Sequence, residues 1–249
     1  CTGNGALDMS LRYRADAAVI TEPTRGMFTS AHVGVMWFRI AIEGTSWHAM
    51  EAWKGVNAIV KAIPIMEALQ HLDAELNAQP PHPAFAEVSH PINLNIGVIS
   101  GGDWPSTGPG ACELHCRLSL YPGQTVAETR AAIEAAVQSA AKADPWLRDH
   151  PPVISYDGFG SAGSVVSMDE PSVRLLGDWH HVVTGTQMEP RASTGITDQR
   201  YFNFVGIPCG CYGAAGERAH GADEMLDLRS LAPTTKVLGA FLLDWCGVA

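Results

Sequence analysis

The chain is short of basic residues: 16 Lys and Arg stand against 26 Asp and Glu in 249 residues, a formal charge of -10. That shortage excludes a surface built to grip nucleic acid phosphates or anionic lipid. No apolar run reaches the roughly 20 residues a membrane span needs, and the first residues lack the charged and apolar regions of a signal peptide. Cysteine is scarce too, with six residues, so a disulfide scaffold is excluded and reduced thiols are expected. Internal repeats are absent, and the only low-complexity tract is an Ala-rich helix. What remains is the expectation of a cytoplasmic protein that acts on small molecules and is long enough for two modest domains.

What is present follows one order between residues 33 and 157. "VGVMWFRIAIEG" is β-branched and aromatic and ends at Gly44, as a strand does. "GVNAIVKAIPIMEALQHLDAEL" places Val56, Ile59, Val60, Ile63, Met66 and Leu69 at helical spacing, with a kink expected at Pro64. "INLNIGVISGG" and "GACELHCRLSLY" read as strands joined by a connection rich in Gly and Pro. A helix then opens on the capping-box pair Thr125 and Glu128, and "PPVISYDG" is the last strand. The order βαββαβ is the ferredoxin-like arrangement. The flanks, with short apolar strands in "ADAAVITEPT" and "GIPCGCYGAA" and a closing helix in "LAPTTKVLGAFLLDW", suit an α/β domain that this unit interrupts. The expected division is an α/β segment at 1–31, the ferredoxin-like insertion at 32–157 and a second α/β segment at 158–249. The chain opens on Cys1, and its first residues resemble the middle of a fold.

Several residues that could carry chemistry also have ordinary explanations. Cys112, His115 and Cys116 resemble a zinc knuckle, but strand alternation sends the two thiols to one face and the imidazole to the other. Cys209 and Cys211 share a face and read as buried structural thiols. His180 and His181 are neighbours on a helix, about 100 degrees apart, and do not share a metal easily. Glu22 reads by itself as a turn acid, His48 as an exposed histidine between a strand and a helix, His220 as a loop histidine, and Asp198 and Arg200 as a helix-start acid and a surface cation.

Taken together and in order, "ADAAVITEPT", "GTSWHAMEAWKGVNAI", "NIGVISGGDWPST", "STGITDQRYF" and "AHGADE" resemble one family over essentially the whole chain. It is the dinuclear zinc amidohydrolases that include acetylornithine deacetylase, succinyl-diaminopimelate desuccinylase, aminoacylase and carboxypeptidase G, and the acetylornithine deacetylase branch is the most similar. The resemblance implies a catalytic α/β domain interrupted by a ferredoxin-like lid and dimerisation domain. It implies Glu22 as a carboxylate ligand to one zinc and His220 as an imidazole ligand to the other, with Co2+ able to substitute. His48 would stabilise the tetrahedral oxyanion, often in a dimer partner's site, and Arg117 would hold the substrate carboxylate. Gly195 and its neighbours would line the substrate pocket, with Asp198 and Arg200 structural. The implied partners are an N-acyl amino acid substrate and a second copy bound through the ferredoxin-like domain, with no nucleic acid and no membrane.

The chain departs from the family pattern at its start. The family's histidine and aspartate motif, its metal-bridging aspartate and its Glu pair all precede a segment like "TGNGAL". The expectation is therefore a portion of a hydrolase, holding two of the metal ligands and inactive alone, because zinc prefers about four donors. The rival readings are a desuccinylase or dipeptidase of the same family and a non-catalytic binding or dimerisation module. Which acyl amino acid is cleaved is not legible.

Overall fold

The structure, a computed structural model, describes residues 3–247, so Cys1 lies outside the described residues. Along the chain come α1 (Asn4–Arg12), β1 (Ala18–Ile20), β2 (Phe28–His32), β3 (Gly34–Glu43), α2 (Ala58–Ala78), β4 (Leu94–Gly101) and β5 (Ala111–Leu120). They are followed by α3 (Val126–Ala143), α4 (Pro145–Asp149), β6 (Val153–Ser155), β7 (Gly160–Ser161), β8 (Ser164–Val165) and α5 (Pro171–Thr184). The last are β9 (Pro190–Ser193), α6 (Gln199–Phe204), β10 (Cys209–Cys211), β11 (Gly216–Glu217), β12 (Met225–Leu226) and α7 (Leu228–Cys246). These elements form two compact units, Val33–Ala162 and a second built from Cys1–His32 with Gly163–Ala249.

The unit of residues 33–162 is an antiparallel sheet in the order β4-β5-β3-β6, with β7 also paired to β3. Pairing of β3 with β5 sets Phe38 opposite Cys116, Ile40 opposite Leu114 and Ile42 opposite Cys112, all buried on one face. That face meets α2, whose buried Ala58, Ala62, Ile65, Leu69 and Leu72 form a helical stripe, and α2 packs on α3. Asn57 starts α2 by accepting hydrogen bonds from the Ile59 and Val60 amides at 2.9 and 3.2 Å. Pro64 lies inside this helix, which runs through it as one element. Thr125 and Glu128 complete the capping box of α3. The opposite face of the sheet carries Trp37, Arg39, Glu113, His115 and Arg117, and β4 is an edge strand with Val98 and Ile99 50% and 49% exposed.

The second unit has a mixed sheet. β1 and β10 are parallel, β10 and β2 antiparallel, β2 and β8 antiparallel, and β9 runs parallel to β2. Phe28, Val173, Leu176, Tyr212, Val237 and Phe241 form a core with α5 and α7 on one side, and Val19 packs against it. Phe202, Ile207 and Cys209 form a smaller cluster against Ala6, Ala18 and Ile20, with α1 and α6. Alternation along β1 thus divides its side chains between two helical layers. Among the described residues, no helix is long and apolar enough to cross a membrane.

Candidate functional site

In the unit built from both ends of the chain, parallel β1 and β10 lead into adjacent turns, and ligand sites of α/β sheets form outside the carboxyl ends of such strands. Glu22 is exposed two residues past β1. Its turn is tied to the residues after β10: the Tyr212 amide donates to Ile20 O at 2.9 Å, Arg25 N to Ala214 O at 3.2 Å and Gly26 N to Gly213 O at 3.0 Å. Buried Thr24 accepts from Gly213 N at 2.9 Å and donates to Gly213 O at 3.3 Å. A Cβ at Gly213 would collide with the Glu22 carbonyl oxygen, so only glycine allows this approach.

Cys211, the last residue of β10, pairs with Ile20 just before this turn. Burial above all, aided by the Glu22 and Asp198 carboxylates and opposed by the Thr197 hydroxyl and Arg191, holds the Cys211 thiol up at about 11. Such a thiol stays protonated and unreactive at neutral pH. Asp198 is paired with buried Arg200 at 3.3 Å, and its carboxylate fills the space a Cβ at Gly3 would occupy. The start of the described chain therefore lies against Asp198. Gly195, between β9 and α6, is exposed in a turn whose backbone N and O both bond the Ser193 hydroxyl at 3.1 Å.

His220 lies in the exposed loop between β11 and β12 with φ 65°, and nearby Arg218 has φ 56°. Arg25, at φ 57°, is the other non-glycine residue of positive φ among those described. Backbone strain of this kind gathers at binding turns. The Arg25 guanidinium links the two loops by donating to Gly216 O and Glu217 Oε1, both at 3.4 Å. Thr21 and Pro23 beside Glu22, and Arg218 and Ala219 before His220, line one cavity of about 890 Å3, although Glu22 and His220 themselves do not. A carboxylate oxygen and an imidazole nitrogen are donors zinc accepts. Among the described residues no group of three or more His, Cys, Asp or Glu is gathered to hold a metal ion. Glu22 and His220 each offer one such donor, and among the described residues neither is gathered with two or more others into a metal-holding group.

In the unit of residues 33–162, His48 is exposed on a loop pinned at both ends. Thr45 and Val56 exchange backbone bonds of 2.8 and 3.0 Å, Ala49 N donates to Ser106 O at 2.8 Å, and Gly108 N donates to Trp47 O at 2.8 Å. The Met50 amide donates to His48 Nδ1 at 3.1 Å, so a neutral ring carries its proton on Nε2. Arg117, on the outer sheet face, donates to Ser119 Oγ at 3.0 Å and Asn93 O at 3.4 Å, and burial lowers its pKa. It lines a cavity of about 430 Å3 with Trp37, Arg39, Asn95, His115 and Asp157. Sequence reasoning passed over Asn95 and Thr24. Asn95 stands directly opposite Arg117 in the β4–β5 register, a placement that alternation within β4 hints at. Nothing local signals the partner of Thr24.

Comparison with known proteins agrees with this architecture. Residues 30–145 match the peptidase dimerisation domain of the M20 family. Over 208 residues the chain is 31% identical to N-formyl-4-amino-5-aminomethyl-2-methylpyrimidine deformylase of Halalkalibacterium halodurans, covering 80% of this chain and 48% of that protein. It is 28% identical to acetylornithine deacetylase of Pectobacterium carotovorum over 244 residues, covering 95% and 59% of the two. A di-peptidase of Saccharomyces cerevisiae shares the fold with TM-score 0.73 at 13% identity, over 96% of this chain and 61% of its own. The chain thus spans about half the length of the curated relatives it matches. With an M20 peptidase dimerisation domain over residues 30–145 and these relatives on either side of it, the chain fits the M20 family.

Proposed function

We propose that the chain is part of a metal-dependent amidohydrolase that cleaves the amide bond of an N-acyl amino acid, in the manner of acetylornithine deacetylase. The observation that carries this reading is the Glu22 turn, clamped beyond two parallel strands by Thr24 and Gly213. Two zinc ions, when bound, supply a Lewis acid for the amide carbonyl and a water nucleophile near neutral pH. Glu22 and His220 would each hold one of them. The family resemblance would supply the further donors and the general base from a segment before one like "TGNGAL".

The chain's own residues do the rest. His48 presents Nε2–H to the oxyanion as the carbonyl becomes tetrahedral, because its other nitrogen is occupied by the Met50 amide. Arg117 holds the substrate carboxylate with a planar, permanently charged fork. The backbone around Gly195 lines the pocket. Two copies pair through the ferredoxin-like unit, a reading supported by the edge of β4 and by exposed Val98, Ile99, Val60 and Ile63. We place the protein in the cytoplasm.

The test is hydrolysis of acylated amino acids by the protein carrying the upstream segment, with Zn2+ added or chelated, and with Glu22→Gln and His220→Asn. Losses of several orders of magnitude are expected. Unchanged turnover in either variant sinks the assignment of that residue. A second reading draws on the 31% identity to the pyrimidine deformylase. That relative's named substrate has amino, aminomethyl and methyl groups but no carboxylate for Arg117 to bind. An N-formyl aminomethylpyrimidine outcompeting acetylornithine as substrate, with Arg117→Ala harmless, would favour it.

A further inference from the structure

We infer that Thr24, together with Gly213, is a positioning pair that aims the Glu22 carboxylate; this rests on the reading of Glu22 as a metal ligand. A carboxylate on an exposed turn would sample several rotamers, whereas a metal site tolerates errors of only about 0.5 Å. The strand before it is short, since β1 ends at Ile20. What holds the turn is a zipper between residues 20–26 and 212–214, made by the three backbone bonds from Tyr212, Arg25 and Gly26.

Thr24 sits at the centre of that zipper, 2% exposed. Its one hydroxyl accepts from the Gly213 amide and donates to the Gly213 carbonyl, at 2.9 and 3.3 Å, so it satisfies both backbone groups of a single residue. Gly213 in turn presses on the Glu22 carbonyl with no room for a side chain. The platform beneath is rigid. Tyr212, next to Gly213, is buried in the apolar core, and its hydroxyl bonds His180 Nδ1 at 2.7 Å. The chain direction at Glu22 is therefore set from both sides, by a hydroxyl two residues later and by a glycine from a segment far away in sequence.

The experiment is a Co2+ titration of the protein carrying the upstream segment, read by the visible absorption of the bound ion and paired with thermal melts of the metal-free form. Glu22→Gln comes first and should remove one equivalent of Co2+; if both equivalents stay, the ligand reading fails, whatever Thr24 does. Given that loss, Thr24→Val should weaken one site by about 10 to 100-fold, the range for residues that orient metal ligands, and shift its spectrum. Thr24→Ser, which keeps the hydroxyl, should restore both. Should Thr24→Val not fold, Gly213→Ala against Thr24→Ser decides, with the first expected to weaken Co2+ binding and the second to leave it intact. A lower melting temperature with unchanged Co2+ affinity and spectrum in the folded variants overturns the proposal, because that is what a purely structural clamp would show.

Discussion

Replacing His48 by asparagine separates the work of its two ring nitrogens. Nδ1 accepts the Met50 amide at 3.1 Å and so caps the short helical turn Ala49–Lys54. An asparagine Oδ1 makes the same bond two residues on, as in an Asx turn. Its short amide does not reach where Nε2 points. The loop backbone stays held by the Thr45–Val56 pair and by Ala49 on Ser106. His48→Asn should therefore keep stability within about 0.5 kcal/mol, as surface changes do. It should nonetheless lower kcat by about 100 to 1000-fold, or roughly 2.7–4 kcal/mol, the usual cost of one oxyanion donor. His48→Ala should lose the same rate and in addition about 0.5–2 kcal/mol of stability with the cap. The assay is kcat and KM on an acetylated amino acid, with a melt of each variant. If His48→Asn retains kcat while His48→Ala fails through stability alone, His48 is a cap and not a catalytic residue.

Three further outcomes are expected. Ile99→Lys, on the exposed edge strand β4, should convert a dimer into monomers in sedimentation analysis without unfolding the sheet; a dimer that persists places the interface elsewhere. Asn57→Ala removes the acceptor for two amides at the start of α2 and should cost about 1 kcal/mol in denaturant unfolding, so no loss would mean that water replaces the cap. Burial first, then His181, lowers the His180 pKa. The unfolded chain therefore binds this proton more readily, and stability should be full above about 6.5 and fall as pH drops from there toward the lowered folded value. His180→Gln should flatten that part of the stability profile, and an unchanged slope would show that other groups cause it.

Much of the fold was legible because its signals are local. Alternation over "CELHC" separates the faces of a strand, and the structure buries Cys112 and Cys116 while leaving His115 on the outer face. The Thr125 and Glu128 pair starts a helix where it stands, and the order of strands and helices implied the ferredoxin-like sheet. The site was less legible. Glu22 could be read as an acid ending a strand, but the clamp on its turn by Gly213, from a segment far along the chain, could not.

The sequence by itself determined which residues form strands and helices and which side of each is apolar, since periods of 2 and 3.6 residues are properties of neighbouring positions. Only the tertiary structure decided what those faces meet. Thr24 and Gly213 are 189 residues apart, and no local pattern predicts that one hydroxyl will satisfy both backbone groups of a distant glycine. Asn95 faces Arg117, yet the register slips between Ile96 and Val98, so pairing beyond that point cannot be extended by counting. Register, bulges and turn-to-turn contacts depend on chain segments brought together by folding, and that is where the candidate site is built.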